Sequence, residues 1–96
     1  MNRLEVTGQV FELSALRYTP SGVPVLEFLL SHESEVTEAG QPRRVALMLP
    51  VVAMGDLAQM AVTMKLGGSV RIQGFLAPLR KDSPRFKLHA QLIQQI

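Results

Sequence analysis

The sequence predicts an all-β domain, a small closed barrel of five strands with one short helix between the third and fourth. Three observations predict it. Apolar and polar residues alternate with a period of two along most of the chain. One stretch, Leu57 to Met64, switches to a period of three to four. Glycines sit at inward positions of the first and fourth strands, where a strand curling round a small barrel needs a bulge or a close approach. The 96 residues make a single domain, 1–96, with one core. At 47% hydrophobic and 19% charged, the chain has enough apolar side chains to offset the entropy of ordering it.

Strand one runs from Arg3 to Val10, with Leu4, Val6 and Val10 on one side, Glu5, Thr7 and Gln9 on the other, and Gly8 inward. Beyond Val10 the phase slips, because Phe11 and Leu13 are apolar and Glu12 is polar, so this strand continues and changes face. Tyr18-Thr19-Pro20-Ser21-Gly22-Val23-Pro24 is turn chemistry. Strand two, Val25 to Ser31, puts Leu26, Phe28 and Leu30 on one side; its other face, Val25, Glu27 and Leu29, is only partly polar. His32 to Arg43 contains Glu33, Glu35, Glu38, Gly40 and Pro42 and reads as a long exposed loop. Strand three, Arg44 to Ala53, includes Pro50, which points to a sheet edge or a bulge. The helix follows, with Asp56 as N-cap, Leu57, Met60, Ala61 and Met64 as its apolar face and Gly67 past its end. Strand four, Ser69 to Leu76, turns Val70, Ile72 and Leu76 inward around Gly74, and Ala77 to Arg85 is a loop. In strand five, Phe86, Leu88, Ala90 and Leu92 alternate with Lys87, His89 and Gln91. Three strands, a helix and two strands is the order of the OB fold, in which the helix plugs one end of the barrel.

Enzyme chemistry finds no purchase. There is no cysteine, so neither a disulfide framework nor a thiolate metal site can form, and a reducing cytoplasm is the expected compartment. His32 precedes the acidic segment and His89 lies on the polar side of strand five; both read as solvated or structural histidines, and no metal or cofactor is implied. Glu33, Glu35 and Glu38 lack the ligand spacing of a calcium loop. Gly67-Gly68-Ser69 follows a helix and precedes no Lys-Ser/Thr pair, so helix termination explains it better than phosphate binding. Of Met48, Met54, Met60 and Met64, the last two fall on the helix's apolar face and read as core. No apolar run reaches the roughly 18–20 residues that span a bilayer, and the N-terminus lacks a signal-like apolar region, so a soluble protein with no membrane partner is expected.

Charge is distributed more tellingly than the net +2 indicates: residues 1–56 hold four basic and seven acidic side chains, residues 57–96 six basic and one acidic. Arg17 lies just before the first turn, Arg43 and Arg44 at the start of strand three, and Arg80, Lys81, Arg85 and Lys87 bracket the last hairpin. In an OB barrel the loops joining strands one to two and four to five flank the face of strands two and three on which oligonucleotides lie. The basic groups therefore converge on one surface, an electrostatic track suited to single-stranded DNA. A merely solvated basic surface is the plainer alternative, and the barrel order favours binding over it. Phe11, Phe28, Phe75 and Phe86 are assigned to the core, which leaves Tyr18, beside Arg17, as the candidate for stacking on a base.

The chain also resembles a known family. Asn2-Arg3-Leu4 with Thr7-Gly8 and Val10, Ser21-Gly22-Val23-Pro24, Phe28, Leu30-Ser31-His32, Ala39-Gly40, Pro50-Val51, Gly68-Ser69-Val70, Gln73-Gly74-Phe75 and Leu88-His89-Ala90 are similar in order and spacing to primosomal replication protein N, the PriB family, relatives of bacterial single-stranded DNA-binding proteins. The resemblance spans nearly the whole chain. It implies a homodimer that binds single-stranded DNA, stimulates the restart helicase and helps assemble the primosome at stalled forks, with Arg17, Arg80 and Arg85 matching DNA-contacting basic residues. It also exposes departures: some relatives carry Trp where this chain has Ala46, Phe where it has Gln41, and a basic residue where it has Glu33. Each change removes stacking or adds negative charge. A protein-interaction adaptor of the same complex, with weak or incidental DNA binding, is the alternative reading.

Overall fold

A computed structural model describes all 96 residues, Met1–Ile96. Alternating apolar residues form strands β1 (Leu4–Leu13), β3 (Pro24–Glu38), β4 (Gln41–Met54), β5 (Ser69–Pro78) and β6 (Phe86–Gln95), with a two-residue strand β2 (Arg17–Tyr18) and one helix, α1 (Asp56–Ala61). The barrel closes because β1 serves two neighbours. Its first half, Leu4 to Gln9, pairs antiparallel with β5, and its second half, from Gln9 to Leu13, pairs antiparallel with β3. β3 pairs with β4 and β5 with β6, and the ring is completed by a short parallel contact, Val51↔Leu88 and Val52↔His89. This is the predicted five-stranded OB barrel with its helix between the third and fourth barrel strands; β2 is a small addition on the edge of β3.

The interior is the set of inward residues that the alternation marks. Leu26, Leu30, Ile72, Leu88, Val10, Val51 and Val70 are all but fully enclosed, each contributing about 1.5–3 kcal/mol by leaving water. Two glycines let neighbouring strands approach this core closely. A Cβ on Gly8 would strike the Ser31 carbonyl oxygen, and one on Gly74 would strike that of His89.

Two bulges reset the phase of their strands. In β1 the register jumps between Val10 and Glu12, leaving Phe11 as the extra residue and 58% exposed. In β6 the register passes from Leu92 to Ala90 opposite Gln73 and Gly74, leaving Gln91 extra. Ile93 consequently enters the core, while Leu92, expected inside, is exposed. Phe86 at the start of β6 is exposed as well, so of the four phenylalanines assigned to the core only Phe28 is buried within it.

The largest departure concerns residues 32–43, expected to be a loop. They are strand: β3 and β4 stay in continuous register from Val25↔Met54 to Glu38↔Gln41, forming a hairpin arm that extends beyond the barrel. The chain reverses in a two-residue turn with Ala39 at φ 52 and Gly40 at φ 78. Positive φ at both central residues is the turn whose twist matches a hairpin, and the polar residues that resemble a loop are the two solvent-facing edges of the arm. The segment Tyr18–Pro24 is likewise not all turn, since Arg17 and Tyr18 pair with Val25 and Pro24. Pro50 lies just before β4 begins its pairing with β6, where the missing N–H costs least.

The helix is shorter than predicted and is capped differently. Gly55, at φ 71, is the N-cap, and Asp56 is the first helical residue. After Ala61 the bonds shorten to Thr63 N–H donating to Met60 O and Met64 N–H to Ala61 O, so the last turn tightens and ends the helix well before Gly67. Ala58, Ala61 and Met64 are buried under the barrel; Met60, expected inside, is exposed. Gly67 instead ties the following segment to β1, donating its N–H to the Val10 carbonyl at 2.7 Å.

Candidate nucleic-acid interface

Register fixes which side chains share the outer face of the barrel. Glu27 on β3 is opposite Val52 on β4, and Val52 is opposite His89 on β6. These three form the floor of a shallow groove. Arg17 and Thr19 stand at one wall, from β2 and its turn; Pro78 and Leu79 stand at the other, where β5 leaves the barrel, and Val25, Met54 and Lys87 complete the lining. The two connections expected to flank the outer face of the barrel thus meet across one groove.

The cations in and around it differ in what they already hold. Arg17 donates to Glu27 at 2.7 Å, and the Lys87 ammonium donates to the other oxygen of the same carboxylate. These bonds, Lys87 first and Arg17 second, hold the Glu27 carboxyl below its ordinary range against the opposing effect of partial burial. Arg80, Lys81 and Arg85 are exposed on the β5–β6 connection and take part in none of the molecule's ion pairs. Their loop is nonetheless shaped: Leu79 N–H donates to Arg85 O, Ser83 N–H to Arg80 O and Arg85 N–H to Ser83 Oγ.

Arg43 and Arg44 lie elsewhere. Both are on the arm, roughly 25–30 Å from Val52 at the usual strand rise, and both are paired, Arg43 with Glu38 at 2.6 Å and Arg44 with Glu33 at 2.9 Å. Pleating also separates them. Arg44, opposite Glu35, continues the outer face that carries the groove, whereas Arg43, opposite Val36, is on the other side of the arm. Ala46, opposite Glu33, is on the outer face as well.

Tyr18, the expected stacking residue, is 60% exposed, but it alternates with Arg17 in β2 and so faces away from the groove, whose lining does not include it. A second aromatic surface escaped the sequence reading: the Phe75 ring stacks on His89, centroids 5.1 Å apart and 13° from parallel, with His89 reaching the groove floor. The signal was available in the alternation that put His89 on the outer side of its strand, but its aromatic partner is on β5 and was assigned to the core. Glu27 was missed as a groove residue for a similar reason, because its two partners are 10 and 60 positions away.

The sequence matches a family described as "another single-strand binding protein family" over residues 2–92. It is 54% identical over 96 residues to the replication restart protein PriB of Bordetella pertussis, covering all of this chain and 90% of that protein. It is 39% identical to that of Vibrio cholerae, covering 99% of this chain and 98% of the other. Among solved structures, PriB from Ralstonia solanacearum superposes with a TM-score of 0.89 at 27% identity, over 99% of this chain and 97% of that one. The single-stranded DNA-binding protein of Thermus aquaticus superposes at 0.80 and 24% identity, over all of this chain and 50% of that one, a likeness of fold.

Proposed function

The chain belongs to the PriB family of replication restart proteins, within the single-strand binding proteins, and from that premise we propose that it binds single-stranded DNA along the groove between β2 and the β5–β6 connection. What supports this reading is that Arg17 and Lys87 line one open groove whose Pro78–Leu79 wall leads directly into the loop carrying the exposed, unpaired Arg80, Lys81 and Arg85. Phosphates are attracted by the free cations, and a base rests on the His89 ring backed by Phe75, where stacking contributes roughly 1–3 kcal/mol per base. Arg44, on the outer face and committed to Glu33, serves a longer strand that continues along the arm, whereas Arg43, committed to Glu38, faces away from that path. Preference for single strands follows from the unpaired bases that such a strand alone offers to an aromatic ring. A labelled single strand should be displaced by unlabelled single strand at concentrations at which duplex of equal length leaves it bound; equal competition by duplex contradicts the reading.

The same reading places the protein in the cytoplasm, in restart of stalled forks, where it stimulates the restart helicase and recruits further primosome proteins. It acts as a dimer. The inward face of the barrel continues onto the arm as Leu47 and Val36, both exposed, and Leu47 joins Leu4, Val6, Leu76 and Phe86 in lining a largely apolar groove of about 610 Å³ beside β1. Along Glu5 to Thr7, β1 is paired only on its β5 side, so a second copy can extend the sheet and cover the groove together. Capture of the helicase that survives nuclease treatment, combined with no measurable DNA binding, would favour the adaptor reading instead.

A further inference from the structure

Glu27 is the only acidic side chain in the lining of the groove, and it sits where a bound strand needs positive charge. We propose that its carboxylate is a built-in stand-in for a backbone phosphate, holding Arg17 and Lys87 while the groove is empty and giving them up, one or both, when a strand binds. This rests on the groove being the DNA site, and it adds what sets the strength of that site.

The geometry makes Glu27 a counter-ion rather than a bystander. Each carboxylate oxygen takes a different cation, Oε2 the Arg17 guanidinium and Oε1 the Lys87 ammonium. The two cations come from β2, the neighbour of β3, and from β6, beyond β4 on the other side, so outer faces from across the sheet are joined at one carboxylate. Glu27 and Lys87 are each less than one-third exposed, a setting in which screening by solvent is weaker than for the arm pairs. The other titratable groups facing this spot are Glu12, which shares a small cavity with Glu27 and Lys87 on the β1 side, and His89 on the floor. Glu12 makes no ion pair there, so the carboxylate that meets both cations is that of Glu27.

A phosphate entering the groove offers the same oxygens to the same donors, yet it must compete with a carboxylate that is covalently fixed beside them. Arg80, Lys81 and Arg85 carry no such competitor. Encounter therefore begins at the β5–β6 loop, and full engagement of the groove waits on exchange at Glu27. The carboxylate thereby keeps binding weaker than the same cations would make it if they were free.

Fluorescence anisotropy of the full chain with a labelled oligothymidine tests this, comparing wild type with Glu27→Gln and with Glu27→Leu, the second being an apolar replacement suited to a strand position opposite Val52 should the amide variant fold poorly. Freeing one or two cations should steepen the logarithmic salt slope by about 0.7–1.4. Affinity gained on dilution from 200 to 50 mM salt should then exceed the wild-type gain by about three- to sevenfold. Arg17→Ala should cost more in the Glu27→Gln background than in wild type. If wild type binds and both variants bind no tighter with an unchanged slope, the inference is overturned and the DNA site stands. If none of the three binds at any salt concentration, both are overturned.

Discussion

Gly74 shows how much of the barrel rests on the absence of one carbon. Its inward position in β5 lies against the carbonyl of His89, at the point where β6 carries its extra residue, Gln91. Neither backbone can give way without disturbing the stack of Phe75 on His89 or the entry of Ile93 into the core. Gly74→Ala should therefore destabilise the fold by about 2 kcal/mol, the scale of overpacking a tight site. It would be seen as a lower urea midpoint at unchanged slope; an unchanged midpoint would show that the strands can part there freely. The need for glycine here was readable in the alternation of strand four. What the bulge does to strand five was not, since a two-residue period continues on paper through Phe86, Leu88, Ala90 and Leu92, and only a cross-strand register reveals that one residue is extra. Glu27 is the same case in electrostatic form: a lone carboxylate between Leu26 and Phe28 is visible, but its meaning depends on Arg17 and Lys87 arriving from β2 and β6.

The β3–β4 arm is the element that composition disguised. Glu33, Glu35, Glu38, Gly40 and Pro42 look like loop residues because both faces of the arm meet solvent, and solvent does not impose an apolar stripe. Pairing of opposite charges across the two strands replaces that stripe, with Arg44 to Glu33 and Arg43 to Glu38. The turn is less well chosen than the strands: Ala39 adopts φ 52 with a side chain that gains nothing there. Asparagine tolerates that conformation far better and is favoured before glycine in such turns. Ala39→Asn should stabilise the arm by about 0.5–1 kcal/mol, part of the cost of the left-handed conformation. Slower hydrogen exchange of the amides in residues 33–38 would register it; no change would mean that these residues do not form a hairpin in solution. The helix, by contrast, was legible in place and kind. Its length was not, because Met64 keeps its apolar phase after the backbone has already tightened out of the α conformation.

Considered as a whole, the molecule is asymmetric, with extents of 50 × 33 × 20 Å. One surface presents the groove beside the loop of free cations, another an apolar recess beside β1 and the root of the arm. The two linings share no residue, so the proposed dimer face and the proposed DNA groove are separate surfaces. Sedimentation should give twice the 10.6 kDa chain mass, and Leu47→Glu should return it to the single-chain value; a wild-type chain that sediments as one copy would remove the recess as a dimer face. No helix is long and apolar enough to cross a membrane. The barrel order and the meeting of its two connections were legible from periodicity and turn chemistry, whereas the division of the basic residues into free and committed ones required the side-chain partners.

That division is the central claim, and the salt dependence of single-strand binding tests it most directly. Log affinity against log salt should fall with a slope of about −2 or steeper, since Arg80, Lys81 and Arg85 alone meet three phosphates at roughly −0.7 each. Replacing all three with alanine should flatten the slope by about 2, whereas replacing Arg43 and Arg44, already neutralised by Glu38 and Glu33, should change it by less than about 0.7. A wild-type affinity indifferent to salt, or a triple variant with an unaltered slope, would contradict the account.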